Sequence, residues 1–330
     1  LDLTEPYQYE VIVVGAGPAG MTAAMYAGRA MLNTLIIERG APGGELLNTE
    51  KIEDYPGFES VLGHELATKF ESHAKKFGAK FETATVLKTR KRADGIFEVE
   101  TEGGPTYTAA SVIITAGGTP VKLNVPGELE YAGKGVSYCA ICDGAFFKGH
   151  TIVVVGGGDA AVEEADFLTR YAEKVYLIHR RGELRASKIL QKRLFENPKI
   201  EMIWNTVVER IDADSQGLVD NIALRNVETN EQRMLKATGV FVFVGFRPNT
   251  GIIEGHVDHD EMGYLRTDPN METTIKGMFA SGDVRSQLTR QVTTAVGDGT
   301  TAAIAAEKYL KALKDGTPMA PITGSGGYAV

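Results

Sequence analysis

Tyr9-Glu10-Val11-Ile12-Val13-Val14-Gly15-Ala16-Gly17-Pro18-Ala19-Gly20 is the stretch from which the fold can be read. An apolar run of strand length leads directly into G-x-G-x-x-G, and small residues from Met21 to Met31 continue as a helix. A second apolar run, Thr34 to Ile37, ends at Glu38. The pattern is β-α-β with glycines at its first turn. Gly15 permits the tight turn, Gly17 lets backbone approach a pyrophosphate, and Gly20 lets helix and strand pack closely. Pro18 and Ala19 complete the loop, and the free N–H groups at the helix start face phosphates. Glu38 stands where a carboxylate accepts from ribose hydroxyls and repels a 2′-phosphate. The unit reads as a dinucleotide site.

The same grammar returns further along. Thr151 to Val155 is a strand, and Gly156-Gly157-Gly158-Asp159-Ala160-Ala161 fits G-x-G-x-x-A. A helix is expected from about Val162 to Ala172, then a strand from Lys174 to Ile178. The position matching Glu38 is His179, followed by Arg180, Arg181 and, shortly after, Arg185. Guanidinium groups fork onto phosphate oxygens, so a basic cluster here suits the 2′-phosphate of NADPH. Two units with opposite charge at this position suggest two different nucleotides. FAD for the first and NADPH for the second is the economical reading.

Between the units lies Cys139-Ala140-Ile141-Cys142-Asp143, which holds both cysteines of the chain. Zinc would require a second C-x-x-C or paired His, and none is present. Two inert buried cysteines are the other bland reading. The flanking nucleotide units favour a redox dithiol, with Asp143 placed to move a proton.

The remaining features are consistent with a two-domain enzyme of 330 residues. A net charge of −8 argues against generic nucleic-acid or acidic-membrane binding. No apolar run approaches the ~20 residues of a membrane span. Residues 1–10 are polar, so no secretory leader is expected, and a cytoplasmic location follows. Gly43-Gly44-Glu45-Leu46-Leu47-Asn48 reads as a loop along which backbone could pass close to a flat ligand. Residues 63–77 carry an amphipathic helical stripe, and 80–115 alternate like strands. Chain crossings are expected near 117 and 247. Residues 200–246 read as antiparallel strands closing with Gly239 to Gly245. His256-Val257-Asp258-His259-Asp260 reads as a polar loop, and no metal site is expected. Met278 to Asp283 is a short strand ending in Gly282-Asp283. Arg290-Gln291-Val292 precedes Gly297-Asp298-Gly299 and a helix expected from Thr300 to Leu313. Residues 316–330, rich in Gly, Pro and Thr, read as mobile.

Taken together, these motifs resemble the low-molecular-weight thioredoxin reductases of bacteria and archaea, members of the pyridine nucleotide-disulfide oxidoreductases. The match runs from Val11 to Leu310, and Cys139, Cys142, Asp143 and Gly144 are its most specific part. The resemblance implies an α/β fold of two Rossmann-like three-layer nucleotide-binding domains, the NADPH domain inserted into a discontinuous FAD domain. The boundaries would be 1–116, 117–247 and 248–330. It implies that Gly43, Gly44, Glu45, Leu46, Asn48, Gly282, Asp283, Arg290, Gln291 and Val292 join Gly15, Gly17, Pro18, Ala19, Gly20 and Glu38 around FAD. Gly156, Gly158, Asp159, Ala160, Glu163, His179, Arg180, Arg181 and Arg185 would hold NADPH. The implied activity is NADPH-dependent reduction of the thioredoxin disulfide by a homodimer. Cys142 would face the flavin, Cys139 would attack the partner, and Asp143 would be the acid. The family usually has Gln at Glu45 and Ser at Ala160, and Ala-Thr-Gly is commoner than Thr115-Ala116-Gly117. Competing readings are a reductase of another thioredoxin-like, glutaredoxin-like or peroxiredoxin-type protein, and a flavin-bound redox sensor.

Overall fold

A computed structural model describes residues 7–49 and 51–317. Most of the glycine-rich C-terminal stretch therefore lies outside the described residues. The chain parts into two compact units, Leu1–Thr119 with Arg247–Val330, and Pro120–Phe246. The crossings are short strands, Gly118–Pro120 and Phe246–Pro248, paired with one another.

The first unit is built on one sheet. Tyr9–Val14 lies between Thr34–Glu38 and Thr106–Ile114, parallel to both. Lys80–Thr83 extends the parallel side, and Phe97–Thr101 and Val86–Lys91 extend the other side antiparallel. Met278–Ala280, from the far end of the chain, pairs parallel with Val112, Ile113 and Ile114. One sheet thus joins both halves of the sequence. Alternate residues serve opposite faces, as the strand period of two requires. Val11 and Val13 join a core with Ala23, Ala24, Ala302 and Ala306. Ile12 and Val14 join one with Phe97, Leu265 and Val284.

Helix α1 (Pro18–Arg29) begins earlier than its apolar pattern suggested, with Gly17 as N-cap. Pro18 fits because its fixed φ suits the first turn and its missing N–H is not needed there. Helix α2 (Gly63–Lys76) buries Leu66 and Ala74 of its apolar stripe, and Ala67 beside them, while His73 stays exposed. The last helix runs Val292–Asp315, eight residues longer at its start than the sequence suggested. Gln291 and Thr294 form a capping box that starts it, offsetting the poor helix propensity of the threonines and glycines that follow. Gly299 has a packing reason: a Cβ there would lie 2.3 Å from the Ala19 carbonyl oxygen of α1.

The second unit has a parallel five-stranded sheet, ordered Val136–Ser137, Gly239–Phe243, Thr151–Gly156, Lys174–Ile178, Ile200–Ile203. Gly239–Phe243 is therefore a central parallel strand and not the close of an antiparallel run. Its residues Gly239, Val240, Phe241 and Val242 are buried, as a strand covered on both faces demands. Ile200–Ile203 is parallel too. The antiparallel expectation holds for Thr206–Ala213, Val219–Asn226 and Gln232–Lys236, which form a separate three-stranded sheet. The helix after the second glycine loop runs Asp159–Leu168 and stops short of Ala172.

Gly299→Ala should destabilise the first unit by about 1–3 kcal/mol, the usual cost of forcing a methyl into close packing. Denaturant melts check this; an unchanged midpoint would contradict the helix contact.

Candidate functional site

Each unit brings its own set of predicted residues together. In the first, Glu38 ends its strand and turns its carboxylate back onto the glycine loop. Its oxygens accept from the N–H of Ala16 at 2.7 Å and of Gly40 at 3.2 Å. A carboxylate has lone pairs left over for further donors. Gly20 packs so closely that a Cβ would lie 1.9 Å from the Gly15 carbonyl oxygen, whereas the same atom on Gly17 would meet nothing within 4 Å. The close packing and the open cradle are thus separate positions of one motif.

The Gly43–Asn48 stretch is not a simple loop. Gly44–Asn48 winds as a short 3-10 helix, and Gly43 donates to the Ala16 carbonyl at 2.8 Å. A Cβ on Gly44 would lie 3.1 Å from the Gly17 Cα, so the two glycine segments lie side by side. Leu46 is buried in a small core that Val292 also touches. That contact brings the start of the last helix to the same place. Gly282 closes the cluster, since its Cβ would lie 2.8 Å from the Ala19 Cβ.

Charge gathers here. Asn48 donates to Glu45 at 3.2 Å. Burial raises the Glu45 carboxyl above its ordinary range, while Asn48 and Arg39 oppose the shift. Burial also pushes Asp283 up to about 6; Arg290 opposes this, and the carboxylates of Glu45 and Asp298 add to it. Arg290 itself lies 3.8 Å from the centre of the Tyr264 ring, within cation–π range. Gln291 spends its side chain on the helix cap. Sequence reading missed Asp298, which accepts from the Gly282 N–H at 3.1 Å and from Arg285 at 2.7 Å. Its only signal was a position between two glycines just ahead of the expected helix.

In the second unit Gly158 is the N-cap of the helix Asp159–Leu168. Asp159 accepts from the Ser187 N–H at 2.6 Å, and the Arg185 N–H donates to Gly157 at 2.8 Å. These bonds fold the basic segment back onto the glycine loop. Ala160 and Glu163 are exposed on that helix. The basic residues divide. Arg180, Arg181 and Arg185 are exposed, but His179 is only 6% exposed. Its ring fills the space under the loop, where a Cβ on Gly157 would lie 2.2 Å away, and its Nε2 has no hydrogen-bond partner among the described residues. Burial lowers its pKa, reinforced by Arg185 and Arg181 and opposed by backbone bonds to Gly156 and Glu183. His179 is therefore a neutral support for the loop, and the three arginines are the cationic surface.

The same unit carries the dithiol. Cys139 and Cys142 form a disulfide with Cα atoms 5.4 Å apart. Cys139 is the N-cap of a one-turn helix, Ala140–Asp143, and its sulfur accepts from the Cys142 N–H at 3.2 Å. Cys142 is exposed; Cys139 and Asp143 are half-buried.

Residues 9–299 match the pyridine nucleotide-disulphide oxidoreductase family. The thioredoxin reductase of Bacillus subtilis is 48% identical over 95% of this chain and 98% of its own length. Among solved structures, the thioredoxin reductase of Lactococcus lactis superposes with a TM-score of 0.89 at 43% identity, over 92% of this chain and 99% of its own. That of T. acidophilum gives 0.87 at 36% identity, again over 92% and 99%.

Asp283 keeps its proton to about pH 6 in the folded chain but loses it near pH 4 when unfolded. Its contribution to stability therefore falls as pH rises through that window. Asp283→Asn should stabilise the ligand-free chain at pH 7 and have little effect at pH 4. Melts at both pH values check this, and equal shifts would contradict it.

Proposed function

The chain belongs to the pyridine nucleotide-disulphide oxidoreductase family, and from that premise we propose that it reduces the disulfide of thioredoxin, or of a thioredoxin-like protein, using NADPH and bound FAD. The observation that carries this reading is the Cys139–Cys142 disulfide, held in the same unit as the arginine-bearing nucleotide loop.

The residues fit both groups. The open face of Gly17, the carboxylate of Glu38 and the neighbouring Gly44 suit the pyrophosphate, ribose and ring of FAD. Asp283 and Arg290 stand at the same cluster. Gly158 at a helix start and the exposed Arg180, Arg181 and Arg185 suit NADPH, with the arginines on its 2′-phosphate. When bound, these cofactors supply the hydride and electron transfer that reduces the disulfide.

The protein's own part is thiol–disulfide exchange. The Cys139 thiolate attacks one sulfur of the partner disulfide, forming a mixed disulfide and expelling the other sulfur as a thiolate. Asp143 donates a proton to that leaving thiolate. Cys142 then attacks the Cys139 sulfur, releasing the second partner thiolate and closing the ring. The working form in this reading is a cytoplasmic homodimer. Among the described residues no helix is long and apolar enough to cross a membrane.

Cys142→Ser should retain flavin, lose turnover and accumulate a mixed disulfide through Cys139, seen by mass spectrometry. Trapping instead by Cys139→Ser would reverse the two roles, and full turnover by Cys142→Ser would exclude the dithiol. Replacing Arg180 and Arg181 by Gln should raise the KM for NADPH by about 10- to 100-fold, since each lost charge-assisted bond weakens binding by about 1.5–3 kcal/mol before any overlap between them. The KM for NADH should change little. Equal effects on both coenzymes would remove the 2′-phosphate assignment.

A further inference from the structure

Glu128 is fully buried, with 0% exposure, and lies ten residues before Tyr138, the residue that precedes the redox segment. Its carboxylate accepts three hydrogen bonds: from the Leu123 N–H at 2.8 Å, the Asn124 N–H at 2.6 Å and the Tyr138 hydroxyl at 2.9 Å. Asn124 is left-handed, with φ 57°, a backbone form that lets successive N–H groups converge on an anion. The turn is pinned from behind. A Cβ on Gly127 would lie 2.0 Å from the Ile211 carbonyl oxygen, so this turn sits directly on the antiparallel sheet.

Tyr138 is the residue before Cys139. On its other side Ser137 is buried and paired with Phe241 in the parallel sheet. The Ser137 hydroxyl accepts from the Cys139 N–H and donates to the Cys139 carbonyl, both at 3.1 Å. Residues 137 to 139 are thus each held from a different direction: 137 by the sheet, 138 by Glu128 and 139 by the serine hydroxyl. Nothing in the proposed exchange chemistry uses Glu128. A buried carboxylate with several hydrogen bonds is costly to retain unless the whole network is satisfied.

We propose that Glu128 is a positioning residue for the redox ring, acting through Tyr138 to hold Cys139 at the place from which it closes onto Cys142. This rests on the dithiol reading above and extends it. Ring closure is favoured when the fold has already fixed both ends of the loop, because little chain entropy is then lost on closing. Loosening the Cys139 end gives the open dithiol more freedom. The ring should then become easier to reduce.

The test is equilibration of the FAD-loaded protein against a dithiothreitol couple, with the free thiols counted by labelling. Tyr138→Phe removes one hydroxyl and leaves the Glu128 turn its two backbone donors. It should lower the closing constant about tenfold, the size of one hydrogen bond to a charged group, or about 30 mV for this two-electron couple. Glu128→Gln should shift it in the same direction, and the double variant should do no more than the larger single change. Asn197→Ala removes side-chain bonds to Asp166 and Thr169 in the same unit, involves neither the turn nor Tyr138, and is a control for general loosening that should leave the constant unchanged. A Tyr138→Phe protein with the wild-type constant would overturn the inference even if its melting point fell. So would an equal shift in Asn197→Ala. If the wild-type protein itself showed no reversible ring closure, the dithiol reading would fail first, and this inference with it.

Discussion

Backbone pressed against backbone at the start of a helix is the constraint on which the architecture rests. At Gly20 any side chain would run into the Gly15 carbonyl, and at Gly299 into that of Ala19. The two contacts draw α1 onto its own strand and draw the last helix onto α1. With that helix come Gly282, Asp283 and Val292, so residues from opposite ends of the sequence share one cluster. The second unit repeats the device, with Gly156 against the Phe243 carbonyl. Each glycine loop is a by-product of packing that tolerates no Cβ.

Charge then distinguishes two sites that share a geometry. The first ends its strand in Glu38, whose carboxylate is held by backbone N–H groups and can still accept more. The second ends in three exposed arginines over a buried histidine. An acidic end disfavours a 2′-phosphate and a basic end attracts one. The burial of His179 sharpens this division. A buried ring that props up the glycine loop leaves the cationic work to the three exposed guanidinium groups.

Most of this was legible in the sequence because glycine spacing and apolar runs are local signals. Both glycine-loop β-α-β units and the paired cysteines could be found that way. What escaped was non-local. Gly239–Phe243 has the composition of any buried strand, and only its neighbours make it parallel and central. The first turns of the last helix were hidden by glycines and threonines, which are poor helix formers, although Gly299 is needed for close contact with α1. Asp298 and Glu128 sit beside glycines with no local signal, and only their hydrogen bonds in the folded chain reveal their roles. His179 stood in line with the arginines, and its residue type gave no hint that it would be enclosed.

The account stands on electrons from NADPH reaching one pair of sulfurs within this chain. The most direct measurement is an anaerobic titration of the purified, FAD-loaded protein with NADPH, counting accessible thiols before and after. The account predicts that both cysteines of each chain appear as new thiols once the coenzyme is in excess, with bleaching of the flavin absorbance. Coenzyme oxidation with no new thiols, or a protein that takes up no flavin, would contradict it.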